Sequence, residues 1–213
     1  MGLLESIKYA FIAYKEKIGE GMLYSIILSI LNILWFIPII GPIILAFIYP
    51  TVLRKIADEW KLSIDSMDTS ETRKVALIVM APMLILHIVL FGVIIDVLSH
   101  TFSGAKNSGA LLTVLLSNIT IIAICILIAL VVSALFLYSF YALVLGKERR
   151  IVIDVKKSIS IMIFGIILGV MGSILSMIVS VIPVIGSVIE MILYFLVFPV
   201  IGALAVLHYT RSL

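Results

Sequence analysis

Five polar side chains interrupt the apolar stretches of this 213-residue chain. They are two carboxylates, two amides and one imidazole: Asp96, Glu190, Asn32, Asn118 and His87. Polar groups inside a hydrocarbon layer cost free energy unless they are paired or face water, so these residues are the most informative. Two carboxylates with neutral amide ligands suit a cation- or proton-responsive site in a water-accessible vestibule. Alternatively, each carboxylate reaches lipid headgroups singly or caps a helix end, and both interpretations stay open.

The depth of these residues follows from helical rise. Asp96 lies about one turn before a polar loop and Glu190 one turn after Gly186, so both carboxylates are expected ~6 Å inside the same interface. Asn32 and Asn118 are expected in the same half of the membrane as the two carboxylates. His87 lies near the midplane, and its nine-residue separation from Asp96 puts the two on opposite faces of one helix. We expect His87 to hydrogen-bond to a neighbouring helix rather than to relay protons with Asp96.

The sequence lacks recognisable catalytic and metal-binding patterns. It contains no His-Glu-x-x-His helix, no Gly-x-Ser-x-Gly turn and no phosphate-binding glycine-rich loop. The three histidines fall at different depths and Cys125 is the single cysteine, so neither a metal site nor an intramolecular disulfide is expected. We therefore predict no enzyme, no cofactor and no metal.

The elements that carry the polar residues are apolar enough to cross a bilayer. Apolar residues make up 63% of the chain and charged residues 13%, with a mean hydropathy of +1.33, whereas soluble domains have roughly 45–50% and 25%. We predict one all-α membrane domain over 1–213, with an interfacial helix (1–20), a first hairpin (21–53), two central helices (75–146) and a second hairpin (158–210). Its six crossings are 21–38, 41–53, 75–99, 110–146, 158–183 and 186–208.

The N-terminal segment 2–18 is predicted to be an amphipathic helix lying in the membrane interface. Its apolar residues recur at helical spacing: Leu4, Ile7, Phe11, Tyr14 and Ile18. The first hairpin has two interpretations, because only about twelve residues separate its Gly41-Pro42 break from Arg54. Either the hairpin is re-entrant, or Arg54 and Lys55 snorkel at the interface while the helix continues towards Trp60.

Basic residues fix the predicted orientation. Six crossings place both termini and the segments 54–74 and 147–157 on one side, and these regions hold fourteen of the 15 basic residues, all except Lys106. The positive-inside rule then predicts a multi-pass cell-membrane protein with both termini in the cytoplasm.

Two similar strings indicate an internal repeat. Ile37-Pro38-Ile39-Ile40-Gly41-Pro42 is echoed 145 positions later by Ile182-Pro183-Val184-Ile185-Gly186-Ser187. The predicted turn residues are Pro38, Gly41, Pro42, Pro183 and Gly186. Each hairpin is preceded by small residues at four-residue spacing, first Gly21, Ser25 and Ser29, then Gly165, Gly169 and Ser173. We predict a parallel repeat whose small residues pack helices closely, within one chain or in a homodimer.

The order of these motifs resembles a known family. An interfacial helix, an Ile-Pro-Ile-Ile-Gly-Pro hairpin, Arg54-Lys55, the string Arg149-Arg150-Ile151-Val152-Ile153-Asp154 and a second hairpin resemble a family of archaeal membrane proteins known only as a domain of unknown function. The resemblance spans nearly the whole chain and implies no catalytic residue. The hairpins and interfacial helices are also similar to sulfate-uptake proteins of the CysZ type.

Two functions therefore remain open at the level of sequence. One is a small-solute or ion transporter or channel that uses the polar set. The alternative is a non-catalytic, membrane-organising or accessory subunit, whose partners are the lipid bilayer and a second copy of the chain. Nucleic acid is not an expected partner, because the basic residues form no patch on a soluble face.

Overall fold

A computed structural model describes residues 2–34, 37–102, 108–181 and 185–213. Every regular element in these ranges is a helix. Within the helices, the structure does not describe the side chains of residues 83, 94, 96–98, 100–102, 108–115, 117 and 185. The predictions for the Asp96 side chain and for Pro183 therefore lie outside the described residues.

Eight α-helices and one π-helical segment make up the described chain. Their order is α1 (Leu3–Glu16), α2 (Ile18–Leu34), α3 (Ile40–Glu59), α4 (Thr69–Phe102), α5 (Ser108–Leu145), α6 (Val155–Ser180), α7 (Ile185–Ile192), the π-helical segment (Leu193–Val197) and α8 (Phe198–Ser212). Five described stretches are long and apolar enough to cross a membrane, and α1 with α2, bent by 112°, would count as a sixth. The predicted all-α fold is confirmed, and its long apolar helices are compatible with a membrane-embedded protein.

Three of the predicted segments can be compared directly with the helices. Helix α3 continues through Arg54 and Lys55 to Glu59, and its 20 residues span ~30 Å, enough for a bilayer core. The predicted segment 110–146 is one continuous helix, α5, as expected. The predicted crossing 186–208 is not one regular α-helix, because the π-helical segment interrupts it before Pro199.

The best-packed core lies at one end of the bundle. Side chains from the last turns of α3 and α5 and from α8 are fully buried there, including Leu53, Ile56, Leu143, Leu204 and Leu207. Helix α5 ends in a Schellman motif, in which Lys147 N donates to Ala142 O (2.8 Å) and Gly146, at φ +68°, donates to Leu143 O (3.0 Å). A Cβ at Gly146 would come within 2.1 Å of the Asp65 carbonyl oxygen, so glycine is required here.

Two segments between helices, residues 60–68 and 146–154, meet at this same end together with the C-terminal residues 208–213, and we call these three ranges the loop end. Ile64 N donates to Leu145 O (2.8 Å), and Arg149 pairs with Asp65 (Nη2 to Oδ2, 2.6 Å). Arg211 Nη1 donates to the carbonyl oxygen of Lys61 (2.9 Å). Both termini and the two basic loops thus share one end of the bundle.

Helix α1 crosses this end and packs on α8. Trp60 Nε1 donates to Ala13 O (2.9 Å), Tyr9 OH donates to Trp60 O (3.1 Å), and the Lys17 ammonium pairs with the Glu59 carboxylate. The buried face of α1 is Ser6, Ile7, Ala10 and Ala13. The predicted apolar stripe is therefore divided, because Ile7 is buried whereas Leu4, Phe11 and Ile18 are exposed.

The described residues next to the two hairpin turns have different surroundings. In the first, the positive φ belongs to Ile39 (66°), and the predicted turn residues Gly41 and Pro42 are buried in the first turn of α3. In the second, a Cβ on Gly186 would lie 2.3 Å from Val179 O, because α6 and α7 approach closely. Pro50 lies inside the continuous helix α3, whereas Pro199 follows the π-helical segment, in the first turn of α8. The parallel repeat remains a prediction.

Candidate functional site

The α-helical hydrogen bonding is interrupted before α8, where the π-helical segment lies. Pro199 explains this interruption, which we call the break before α8. Proline has no backbone N–H, so the carbonyl oxygen of Phe195, four residues earlier, loses its α-helical donor. Ser29 Oγ of α2 donates a hydrogen bond to that oxygen (3.2 Å). Because lipid offers no replacement partner, a side chain from a neighbouring helix is what makes such a break tolerable in a membrane.

The next backbone pair is also separated. Val200 N and Leu196 O would bond to one another in an uninterrupted α-helix. Instead, Val200 N donates to Ser25 Oγ (3.3 Å), and Tyr14 OH donates to Leu196 O (2.9 Å). The stretch Gly186–Ser212, which the π-helical segment interrupts, is called the broken arm. Side chains from α1 and α2 thus complete its hydrogen bonding.

The first stripe of small residues serves this packing. Ser25 and Ser29 are buried against the broken arm. A Cβ at Gly21 would lie 2.7 Å from two ring carbons of Tyr14, so the glycine makes room for the side chain that reaches Leu196. Gly21, Ser25 and Ser29 therefore pack α2 against elements of the same chain.

The second stripe has a different environment. Gly165, Gly169 and Ser173 are exposed, and a Cβ at either glycine would meet nothing within 4 Å. Ser173 Oγ bonds to the carbonyl oxygen of Gly169 in its own helix (3.0 Å). Within the described chain these two glycines are therefore not closely packed. Packing of this face in a homodimer, the other predicted role, stays a prediction.

Gly169 and Ser173 of this stripe line a groove of about 450 Å³, and α6 forms one of its walls. Gly165 lies outside the groove, in a smaller recess between α5, α6 and α8. The opposite walls are formed by the end of α2, the π-helical segment and α8. Ile7 and Phe11 of α1 close the groove on the side nearest the loop end. The lining is mainly apolar or glycine: Ile7, Phe11, Leu168, Gly169, Met171, Gly172, Leu175, Phe198, Pro199, Ile201 and Gly202. Its polar members are Asn32, Ser173 and Tyr194.

The five predicted polar residues have separate surroundings. Asn32 lines the groove. Glu190 of α7 accepts a short hydrogen bond from Ser176 Oγ of α6. His87 and Asn118, on α4 and α5, are half-buried and each has an interaction of its own. Among the side chains that the structure describes, the groove lining contains only Asn32 of this set, and no three His, Cys, Asp or Glu lie together as metal ligands.

Sequence reasoning missed Tyr14, Gly172, Tyr194 and Gly202 as parts of this region. One available signal was Pro199 within an apolar segment, since its missing N–H requires an external hydroxyl for Phe195 O. Nothing in the local sequence indicates which of the chain's hydroxyls supplies it.

The fold and the groove define a class: an all-α protein with five or six helices long enough to cross a membrane and an open, largely apolar groove between three of them. Comparison with known proteins found no matching family model, no matching curated protein and no matching solved structure.

Proposed function

We propose that this chain is a non-catalytic, multi-pass membrane protein that holds one lipid-like molecule in the groove between α2, α6 and α8. The groove itself carries the proposal. Its volume of about 450 Å³ falls within the ~300–1,000 Å³ of small-molecule sites, and it has their largely apolar lining with few polar groups. Such a protein organises or presents lipid, which is a concrete form of the membrane-organising alternative.

The glycines of the groove support binding of an elongated chain. Gly169 and Gly172 on α6 and Gly202 on α8 line it, and a Cβ on any of them would meet nothing within 4 Å. Backbone therefore forms the surface at these positions, and the space above it is free. A hydrocarbon chain is thin enough to lie along such a surface and to gain van der Waals contacts with it.

The groove opens sideways. Phe11, Met171, Leu175 and Tyr194 all line it and are at least one-third exposed. In a bilayer this exposed side would face lipid, so a hydrocarbon chain would enter without passing through water. The basic loop end would lie in the cytoplasm of a cell membrane, by the positive-inside rule.

Groove-filling substitutions test the proposal. A lipid with a photoreactive group in its acyl chain is incorporated into nanodiscs with the full chain, and labelled peptides are mapped. Gly172→Leu and Gly202→Leu place a side chain in the groove and are expected to reduce labelling of α6 and α8 to background. Gly92→Leu, on exposed α4 with nothing within 4 Å of its Cβ, is the matched control. Unchanged labelling in the two groove variants, or equal loss in the control, contradicts lipid binding.

Solute or ion transport is the second candidate. The contact between Ser176 and Glu190 favours it, because it joins a half-buried carboxylate to a hydroxyl across two apolar helices. Ion flux into proteoliposomes should then fall for Glu190→Gln and stay unchanged for Glu16→Gln, which alters an exposed carboxylate on α1. Equal flux through all three proteins removes Glu190 from any transport mechanism.

The remaining proposals concern partners and kinship. A second copy of the chain is the alternative partner for the open face of α6 at Gly165, Gly169 and Ser173, and would form a homodimer through this helix. Kinship with the uncharacterised archaeal membrane family, or with CysZ-type proteins, rests on the hairpin strings and the interfacial segment alone.

A further inference from the structure

Two polar groups of the groove lack a partner in the described part of the chain. The Asn32 amide and the Tyr194 hydroxyl both line the groove, and neither forms a hydrogen bond with a described residue. The Tyr194 ring packs edge-on against Phe198, with 5.6 Å between ring centroids. By contrast, the third polar group, Ser173, is bonded to its own helix.

The helix register brings these two groups to the same level. Ser25 is bonded to Val200, and Ser29 to Phe195, so α2 and the broken arm run antiparallel. Continuing this register places Asn32 beside residues 191–192, within about one helical turn of Tyr194. Asn32 lies two residues before the end of α2, so both groups belong to the part of the groove farthest from the loop end.

The lining also restricts the charge of a ligand. It contains no Lys, Arg, His, Asp or Glu among the described residues. An ionic group there would lose water without gaining a counter-ion, which is strongly unfavourable. An uncharged oxygen function loses less, because the Asn32 amide offers both donors and an acceptor and the Tyr194 hydroxyl can donate.

From Asn32 the groove continues towards α1, and apolar residues and glycines line most of this part. From residue 192 to Gly202 the arm advances ~15 Å at helical rise. We infer that the occupant is a neutral lipid whose hydroxyl or carbonyl end is held by Asn32 and Tyr194, with its hydrocarbon chain directed towards Phe11. This inference rests on the proposed lipid-binding function.

Competition among amphiphiles of equal chain length tests the inference. The photoreactive lipid is competed in nanodiscs by an alkylglycerol, an alkyl sulfate, an alkyltrimethylammonium and the plain alkane. The neutral alkylglycerol should compete about tenfold better than the other three, the effect of one or two hydrogen bonds. Asn32→Leu should reduce its competition to that of the alkane, and Tyr194→Phe should reduce it partly. Tyr24→Phe, which removes a phenolic hydroxyl outside the groove in the loop-end half of α2, should change nothing.

A charge introduced into the groove gives a gain-of-function arm. Asn32→Asp should shift the preference to the alkyltrimethylammonium, because a carboxylate would then face the polar end of the ligand. Equal competition by all four compounds, with labelling still abolished by Gly172→Leu, overturns the neutral-lipid inference and leaves the proposed function standing. Labelling that Gly172→Leu does not reduce removes the proposed function and the inference together. Cross-links between two copies at α6 would identify the occupant as a second chain and overturn the inference.

Discussion

The hydroxyl of Ser29 donates a hydrogen bond to the carbonyl oxygen of Phe195 (3.2 Å), the acceptor that Pro199 leaves without its α-helical donor. A side chain 166 positions earlier in the chain thus supplies the donor that is missing where the π-helical segment interrupts the last apolar arm. The break turns the arm into part of the groove wall, since Tyr194, Phe198 and Pro199 all line it.

Removing the Ser29 hydroxyl should destabilise the protein. Ser29→Ala leaves the part-buried Phe195 carbonyl without its donor, which is expected to cost about 1–3 kcal/mol of unfolding free energy, measurable by denaturant titration in mixed micelles. Ser173→Ala, whose hydroxyl is exposed and bonded within its own helix, should cost less than about 0.5 kcal/mol.

A double-mutant cycle with Pro199 isolates the cause. Pro199→Ala restores a backbone N–H that can bond Phe195 O, so Ser29→Ala should cost much less in that background than in the wild type. Additive effects of the two substitutions would show that Ser29 does not compensate for the proline.

Gly21 should not tolerate even a methyl group. In Gly21→Ala the new Cβ would lie 2.7 Å from two Tyr14 ring carbons, so the ring must move and its bond to Leu196 O weakens. We expect a loss of about 1–3 kcal/mol of unfolding free energy. Gly19→Ala, in the same helix with nothing within 4 Å of its Cβ, should be neutral or stabilising by up to ~1 kcal/mol. Similar behaviour of the two variants would contradict the packing assigned to Gly21.

The Asp65–Arg149 pair should give the loop end an acid-sensitive contribution. Its hydrogen bond to Arg149 lowers the pKa of the Asp65 carboxyl. A lowered folded-state pKa contributes stability that is fully present above the unfolded value of about 3.9 and is lost as pH falls through the lower folded value. The difference in unfolding midpoint between wild type and Asp65→Asn should therefore be constant from about pH 7 to 5, decline below about pH 4, and disappear only below the folded-state pKa. In an Arg149→Gln background this pH dependence should be smaller, because the backbone N–H of Ser66 also lowers the pKa of Asp65. An undiminished pH dependence there would point to another group.

Helix α1 should place Phe11 in lipid. Its buried face packs on α8, while Leu4 and Phe11 are exposed on a different face from Glu16. We expect the fluorescence of Phe11→Trp to be quenched by lipids brominated near the interface, and that of Glu16→Trp to be quenched by aqueous iodide. Both other tryptophans are replaced by Phe in each variant. Iodide quenching of both positions would place α1 in water and contradict the interfacial prediction.

Local patterns predicted the helices better than they predicted the site. Residues 110–146 are apolar throughout, so a single long helix followed directly, and the spacing of Gly21, Ser25 and Ser29 indicated a helix-packing face. The same spacing at Gly165, Gly169 and Ser173 predicted the same role, yet this face is open. A shared vestibule was one of two interpretations for Glu190 and Asn32, and the sequence did not indicate that Glu190 bonds to Ser176 while Asn32 lines a groove.

The sequence by itself determined the helical class, the apolar segments and the grouping of basic residues at one end, because hydrophobicity, helical periodicity and charge are properties of each segment alone. Only the tertiary structure decided that Ser25, Ser29 and Tyr14 complete the hydrogen bonding before α8, and that Gly169 and Ser173 of the second stripe line a groove. Two stripes of equal spacing are chemically alike. What each one meets depends on how helices far apart in the chain cross, and that is set by the packing of the whole bundle.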